Sequence, residues 1–261
     1  MLRSALRFVA LLTVLLATAA AQAADVKVMI SAGFFHVYSD LGPAFEKATG
    51  NHLITIRGPS LGDSPEAIPA RLSRGEDADV TIMDGAGGDF LIAHKLVRAD
   101  SKIVLGESYI GMVVRSGQPK PDISTMDALR KTLLDAKSIA YSDSSSGTYL
   151  ATVGFKKLGI ADQVAGKSRK VRGPPTGEPV AAVVARGEAE IGFQQVAELI
   201  HTPGVDLVGT VPAEFHPPGY FVGFVTTNAR QPDAAVALLH FLSSPQAAAV
   251  ITANGLKPMA K

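Results

Sequence analysis

Short apolar runs alternate with helix-spaced segments along the first hundred residues, and this alternation constrains the fold more than any other feature. Residues 26–30 and 52–56 are apolar runs rich in β-branched side chains, and residues 34–49 between them repeat apolar side chains at helical spacing. A third apolar run, residues 78–83, follows a short helical segment. A strand–helix–strand order is typical of parallel strands covered by helices, so the pattern predicts an α/β fold with mostly parallel sheets.

The pattern changes after this stretch and then resumes, which predicts two lobes. Residues 109–114 and 220–225 are apolar runs that flank a second set of strand and helix segments. Units of about 100 residues are a common domain size. We therefore expect lobe I to comprise residues 24–108 and 222–261, and lobe II to comprise residues 109–221.

The first 23 residues have the order of a secretory signal peptide. Arg3 and Arg7 precede an apolar run at residues 8–16, and the small-residue triplet Ala21-Gln22-Ala23 follows it. The run is too short to span a bilayer, which takes about 20 residues. This order predicts export, cleavage near Ala23 and a soluble protein of the periplasm.

Charge, cysteine and histidine usage narrow the functional classes. Two of the 25 basic residues and none of the 24 acidic ones lie in the signal segment, so the remaining chain is close to neutral and no nucleic-acid partner is expected. The chain has no cysteine, which excludes a lipid anchor through cysteine, a thiol nucleophile and a cysteine-ligated metal. The six histidines lack the spacing of metal ligands. The phosphate-binding motifs Walker A and G-x-G-x-x-G are both absent. We therefore expect no metal and no cofactor.

The motif SDSSSGT at residues 142–148 is the sharpest local feature. It lies between an apolar run and a helical segment, so its hydroxyls and backbone N–H groups gather at a helix N-terminus, where the dipole favours negative charge. Helix capping is the alternative, but capping employs at most two of the serines. The motif therefore favours anion binding by Ser144, Ser145 and Ser146.

Similar polar loops follow the other strand segments. In an open α/β sheet, ligands bind beyond the carboxyl ends of the strands, so these loops predict a cleft lined by hydroxyl and amide groups. The candidate residues are Gly33, Ser60, Ser64, Thr176 and Gly177. Arg57, at the end of the second apolar run, is either a partner for a carboxylate or oxyanion or a solvated surface side chain.

An exported serine hydrolase is the alternative of another class. Asp143, Ser144 or Ser145, and His216 supply the residue types of a catalytic triad. The G-x-S-x-G nucleophile motif is absent, and adjacency of Asp143 to the serines is not triad geometry. We therefore expect a protein that is not an enzyme.

Several longer stretches resemble the periplasmic substrate-binding proteins of ABC importers, specifically their molybdate-binding group. The stretches that carry the resemblance are residues 26–41, 70–80, 144–149, 179–193 and 239–247. The resemblance implies a two-lobed periplasmic binding fold of type II, with a ligand cleft and hinge strands near residues 109–114 and 220–225. It also implies a monomer that captures a small anion and delivers it to an ABC permease in the inner membrane.

In the molybdate-binding group, hydrogen bonds alone hold the oxyanion, and the resemblance carries these contacts to positions in this chain. They are Gly33 with Phe34, Ser60 or Ser64, the turn of Ser144, Ser145 and Ser146, and the segment from Thr176 to Glu178, while the family's tyrosine falls at Gln195.

Three departures from that pattern bear on the ligand. The family's first-loop serine aligns with Gly33, its tyrosine aligns with Gln195, and Arg57 is an addition. A compact tetrahedral oxyanion suits a small set of neutral donors, whereas an arginine and a glutamine suit a larger or planar anion. The sequence therefore favours an organic carboxylate, with molybdate or tungstate as the alternative, and it leaves open whether the protein serves an importer or a sensor.

Overall fold

The computed structural model describes residues 23–259, which form two five-stranded sheets covered by helices. The predicted signal peptide lies outside the described residues, apart from Ala23. The strands are β1 Asp25–Ile30, β2 His52–Arg57, β3 Val80–Asp84, β4 Ile103–Ser108, β5 Ile110–Arg115, β6 Ile139–Ser142, β7 Ser168–Val171, β8 Ile191–Gln195, β9 Val205–Thr210 and β10 Gly219–Val225. The helices are α1 Ala32–Thr49, α2 Ile68–Ser73, α3 Gly85–Ala93, α4 Met126–Asp135, α5 Ser145–Tyr149, α6 Phe155–Lys157, α7 Ala161–Ala165, α8 Val180–Ala185, α9 Val196–Leu199, α10 Pro232–Leu242 and α11 Ala248–Ala253.

Short helical turns of other types complete the elements. Two are 3-10 turns, Ala99–Ser101 and Pro245–Ala247, and a π-helical turn, Leu150–Gly154, joins α5 to α6. Among residues 23–259, no single helix has the length and apolarity to cross a membrane. The pair Pro232–Leu242 and Pro245–Ala253, bent by 53°, meets that test only when taken together.

The sheets confirm the predicted two-lobed α/β class and show that each lobe is mixed. The strand order is β2-β1-β3-β10-β4 in lobe I and β7-β6-β8-β5-β9 in lobe II. In lobe I, β1 pairs in parallel with β2 and β3, while β10 runs antiparallel to β3 and β4. In lobe II, β6 pairs in parallel with β7 and β8, while β5 runs antiparallel to β8 and β9. β5 is the first strand after the chain passes into lobe II, and β10 is the first after it returns to lobe I. Because both pair antiparallel with their neighbours, the sheets are mixed rather than mostly parallel.

The chain passes between the lobes at two neighbouring places. Ser108, the last residue of β4, pairs with Gly219, the first residue of β10. The first passage is therefore Tyr109, and the second is the segment 211–218. β10 belongs to the lobe I sheet from its first residue, so lobe I resumes a few residues before the predicted boundary at residue 222.

Helix α1 shows how the sequence builds the lobe I core and aims β1 at the cleft. Phe34, Val37 and Phe45 recur on one face of the helix and are buried. They pack in a cluster that includes Leu238 of α10. The helix ends where Gly50 adopts a left-handed φ of 76°, which a glycine adopts without steric cost. The residues that follow β1, Ser31 and Ala32, lie beside residues of lobe II.

Asp79 ties the first strand of the fold to the turn that begins helix α10, and its replacement should lower stability. Its two carboxylate oxygens accept hydrogen bonds from the backbone N–H groups of Lys27, Arg230 and Gln231 at 2.8, 2.6 and 2.8 Å. An Asp79→Asn variant keeps one of the two oxygens and places an amide donor against backbone donors. We expect the free energy of unfolding to fall by about 2 kcal/mol, measured by urea denaturation.

The control for this variant is the neighbouring Asp77→Asn. Asp77 forms ion pairs with Lys27 and Arg230 at the surface, where such pairs contribute about 1 kcal/mol or less. Equal losses for the two variants would contradict the role given to Asp79.

Candidate functional site

A narrow cleft lies between the lobes, and the carboxyl ends of six strands line it. Lobe I contributes residues after β1 and β2, the last residue of β3, and Phe221 of β10; lobe II contributes residues after β6 and β7, the end of β8, and one residue of α9. The lining residues are Ser31, Ala32, Gly58, Pro59, Ser60, Asp84, Asp143, Ser144, Ser145, Ser146, Gly173, Pro174, Gln194, Gln195, Glu198 and Phe221. This is the position at which open α/β sheets bind ligands.

Five of the ligand-binding candidates from the sequence meet in this lining, together with Asp143 of the triad alternative. Ser60 comes from lobe I, and the three serines of the SDSSSGT motif, with Gln195, come from lobe II. The helix after the motif begins at Ser145, so Ser145 and Ser146 lie in its first turn. Ser144 is the N-cap residue by position, but its side chain makes no capping hydrogen bond.

Three donor groups in and beside the cleft have no hydrogen-bond partner among the described residues. They are the Ser31 and Ser145 hydroxyls, which line the cleft, and the Nε of Arg57, which precedes the lining residue Gly58. Ser31 is only 3% exposed, so water does not replace the missing partner freely. An unpaired buried polar group costs about 1–3 kcal/mol. Donors from both lobes are thus available to one ligand.

Hydrogen bonds hold three other polar side chains of the lining, those of Ser60, Gln194 and Gln195, in fixed orientations. Ser60 Oγ accepts the Asp84 N–H at 3.0 Å, and Gln195 Oε1 accepts the hydroxyl of Ser108 at 2.7 Å. Gln194 Oε1 accepts the Val180 N–H at 3.2 Å, which turns its amide nitrogen toward Glu198. Such fixed partners set the positions of the groups before a ligand binds.

Three carboxyl groups line the same cleft. Asp84 accepts the Ala86 N–H at 3.0 Å, and Asp143 accepts the Gly173 N–H at 3.1 Å. Burial raises the pKa of Asp84 above its ordinary value, although the Ala86 N–H opposes this. Burial also raises the pKa of Glu198, to about 7, because little water remains to stabilise its charge.

Arg57 is a cation whose charge acts on one of these carboxyl groups, Glu198. It is half-buried, and its guanidinium lies 4.0 Å from the centre of the Phe35 ring, a cation–π arrangement. Burial lowers the pKa of Arg57, and the charge of Glu198 opposes that effect. The lining therefore carries carboxyl groups, and a cation outside the lining acts on one of them.

Contacts across the cleft show that the lobes are closed. Arg172 of lobe II pairs with Glu66 of lobe I at 2.8 Å, and the rings of His36 and His201 stack with centres 3.7 Å apart. A β-carbon added at Gly62 would lie 2.4 Å from the carbonyl oxygen of Asp143 in the other lobe. The space left in the cleft is about 20 Å³, little more than one water molecule needs. A larger ligand therefore requires the lobes to open.

The other candidate residues from the sequence lie outside the lining. Gly33 packs against the Phe221 ring, where an added β-carbon would come within 2.3 Å, and Phe34 is buried in the lobe I core. Ser64 donates a hydrogen bond to Glu66. Thr176 and Gly177 lie on an exposed turn. These residues were chosen from the resemblance and from the pattern of polar loops. Neither indicates which way a side chain points, and α1 directs that of Phe34 into the core.

The triad alternative finds no support in the contacts. His216 packs edge-on against Tyr149 with ring centres 4.4 Å apart, and it does not line the cleft. Within residues 23–259, no hydrogen bond joins His216 to Ser144 or Ser145, although a triad requires a base in contact with its nucleophile.

Four polar residues of the lining were not selected from the sequence. Ser31 directly follows a strand segment, which is the same pattern that identified Ser60, so sequence reasoning had access to it. Asp84 and Gln194 stand at the ends of apolar runs, which indicates a cleft position less strongly than a Ser- or Gly-rich loop does. Glu198 lies in the four-residue helix α9, and no sequence pattern marked it.

Comparisons with known proteins agree with this geometry. A family model described as bacterial extracellular solute-binding protein matches residues 26–257. The chain is 46% identical over 232 residues to aconitate isomerase of Pseudomonas sp, covering 89% of this chain and 87% of that protein. It is 28% identical over 242 residues to the molybdate-binding protein ModA of Azotobacter vinelandii, covering 90% of this chain and 91% of that protein.

The fold has solved counterparts. The structure of the periplasmic molybdate-binding protein of Azotobacter vinelandii matches with a TM-score of 0.70 at 21% identity, covering 90% of this chain and 100% of that chain. A likeness at this identity shows the fold alone.

Proposed function

This chain belongs to the bacterial extracellular solute-binding protein family, and we propose that its cleft captures a small unsaturated tricarboxylate of the aconitate class in the periplasm. The family works with ABC importers, so the permease of an importer is the proposed recipient. The relative named aconitate isomerase, 46% identical over nearly the whole chain, supports this ligand class.

The observation that carries the proposal is the set of unpartnered donors facing one cleft from two lobes. Ser31 comes from lobe I, Ser145 from lobe II, and Arg57 stands at the edge. A planar carboxylate accepts a paired hydrogen bond from a guanidinium, and further carboxylates of the same molecule reach the two hydroxyls. A ligand with several carboxylates bridges both lobes and thereby favours closure around itself, with the lobes further apart than here, because a tricarboxylate does not fit in about 20 Å³.

Calorimetric titration with a panel of anions tests this proposal. The panel comprises trans-aconitate, cis-aconitate, the saturated tricarballylate, citrate, molybdate and sulfate. We expect a tricarboxylate to bind in the micromolar range or tighter, which corresponds to about −8 kcal/mol. Tight binding of molybdate with no response to any carboxylate would overturn the proposal.

Replacement of Arg57 tests whether it binds the ligand or is a surface side chain without a role in binding. Arg57→Ala should weaken tricarboxylate binding by about 10-fold to 100-fold, since a charge-assisted hydrogen bond contributes about 1.5–3 kcal/mol. Arg74→Ala is the matched control, because Arg74 pairs with Glu76 at the surface and does not line the cleft. Unchanged affinity in Arg57→Ala would make Arg57 a bystander.

Isomerisation of such a ligand is a second candidate function, favoured by the carboxyl groups of the cleft together with the relative that carries an isomerase name. Moving the double bond of an unsaturated tricarboxylate requires a proton to leave one carbon and to return to another. Glu198, with a pKa of about 7, suits the exchange of a proton near neutral pH, and Asp84 or Asp143 provides a second group.

Proton NMR in deuterated water distinguishes an isomerase from a carrier. An isomerase converts trans-aconitate to cis-aconitate and incorporates deuterium at carbon, whereas a carrier leaves the bound ligand unchanged. Loss of conversion in Glu198→Gln with binding retained would support the isomerase. Absence of conversion in the unaltered protein, at saturating ligand, would exclude it.

A further inference from the structure

The cleft holds more negative than positive groups for a site that receives an anion. Asp84, Asp143 and Glu198 line it, whereas the cations Arg57 and Arg172 only precede lining residues, and Arg172 is paired with Glu66. A tricarboxylate adds two or three further negative charges to a space with little water. Like charges at close range in such surroundings disfavour ionisation of at least one of the groups.

Among the three carboxyl groups of the cleft, Glu198 has the surroundings that most favour a proton. Arg57 faces it from the end of β2, Asp84 from the end of β3, Asp143 from the loop after β6 and Gln194 from β8. Beyond Arg57 lie His36, on α1, and the stacked His201, after α9. Burial and the two aspartates favour the neutral form of Glu198, while the Gln194 amide and Arg57 oppose it.

The hydrogen bonds around Glu198 leave one oxygen for a proton. Gln194 Oε1 accepts the Val180 N–H, so its amide nitrogen is the donor to Glu198 Oε2. Within the described residues, no hydrogen bond involves Glu198 Oε1. An ionised carboxylate accepts only, whereas a neutral carboxyl also donates, and a ligand carboxylate has acceptors alone.

We propose that a carboxylate ligand enters this cleft together with one proton, which Glu198 carries and donates as a hydrogen bond to a ligand oxygen. The inference rests on the proposed function, because it assumes a ligand that bears carboxylates. A neutral Glu198 would favour ligands that place a negatively charged acceptor beside it in the cleft.

The direction of the pH dependence follows from the protonation of Glu198. With a pKa of about 7 its carboxyl is largely neutral at lower pH, so binding there requires little proton uptake by Glu198. Above that pH the free protein is ionised, and binding must recruit a proton, which weakens the affinity by up to about tenfold per pH unit.

Calorimetric titration with trans-aconitate in two buffers of different ionisation enthalpy measures the proton directly. We expect an uptake approaching one proton per ligand at a pH of about 8.5, where Glu198 in the free protein is largely ionised and His36, whose pKa is lowered by burial, is neutral. Failure of every carboxylate to bind would refute the proposed function and this inference with it. Binding with no uptake would refute the inference alone.

Two variants assign the proton to its group. Glu198→Gln places a permanent neutral donor at the site, so we expect affinity at that alkaline pH equal to or above that of the unaltered protein, no uptake and a flat pH profile. His36→Gln, outside the lining, should leave the uptake unchanged. Uptake that persists in Glu198→Gln would place the proton elsewhere and overturn the inference.

Discussion

A Ser145→Asp variant should lose tricarboxylate binding, with the affinity falling by more than about 1000-fold, or about 4 kcal/mol. Ser145 stands in the first turn of α5, and its hydroxyl faces Asp84 without completing a hydrogen bond. The substitution removes a free donor and adds a carboxylate to a cleft that already holds three. The new charge repels both the ligand and its neighbours, and water is too scarce there to screen it.

Calorimetry gives the affinity, and thermal unfolding shows whether the variant is folded. Thr148→Asp is the control, since Thr148 is exposed, lies in the same helix and does not line the cleft. It adds the same charge nearby and should change the affinity by less than about threefold. Retained binding in Ser145→Asp would remove this turn from the ligand site.

A Gly62→Ala variant should weaken binding by about 100-fold because it prevents closure. Gly62 has a φ of 116°, and an added β-carbon would lie 2.4 Å from the Asp143 carbonyl oxygen in the other lobe. The backbone conformation costs alanine about 1 kcal/mol whether the lobes are open or closed. The contact with Asp143 exists only in the closed form, so it acts on the closing equilibrium and therefore on affinity.

The matched control for closure is Gly50→Ala. Gly50 also has a positive φ, 76°, but an added β-carbon there meets nothing within 4 Å. Both variants should lose comparable stability in urea, and only Gly62→Ala should lose affinity. Small-angle scattering with trans-aconitate should show that the Gly62 variant stays expanded; compaction equal to that of the unaltered protein would contradict the role of this contact.

Much of the fold could be predicted from the sequence because hydrophobic spacing marks elements that face a core. Helix α1 and strand β3 carry such spacing, and each was expected close to its observed position. Strands β4 and β7 were not expected. β7 forms the edge of its sheet and exposes Arg169 and Lys170, so it lacks an apolar pattern.

The candidate site was only partly predictable, for a different reason. The serines were identified because they follow a strand, and that pattern is local. Glu198 lies between Ala197 and Leu199, where a glutamate in a short helix is typical of a surface position. Its surroundings arise from Arg57 and Asp84, which belong to the other lobe. No pattern along the chain contains that juxtaposition.

Helix α9 follows β8, a strand of the lobe II sheet, yet its residue Ala197 is buried in the hydrophobic cluster of lobe I. The preceding residue of α9, Val196, donates its N–H to the carbonyl of Tyr109, the first passage between the lobes. A rotation that opens the cleft displaces each atom in proportion to its distance from the axis, and α9 lies beside that axis. We therefore expect Glu198 to move less than the serine turn when the lobes open, so that the proposed proton donor keeps its place in the open protein.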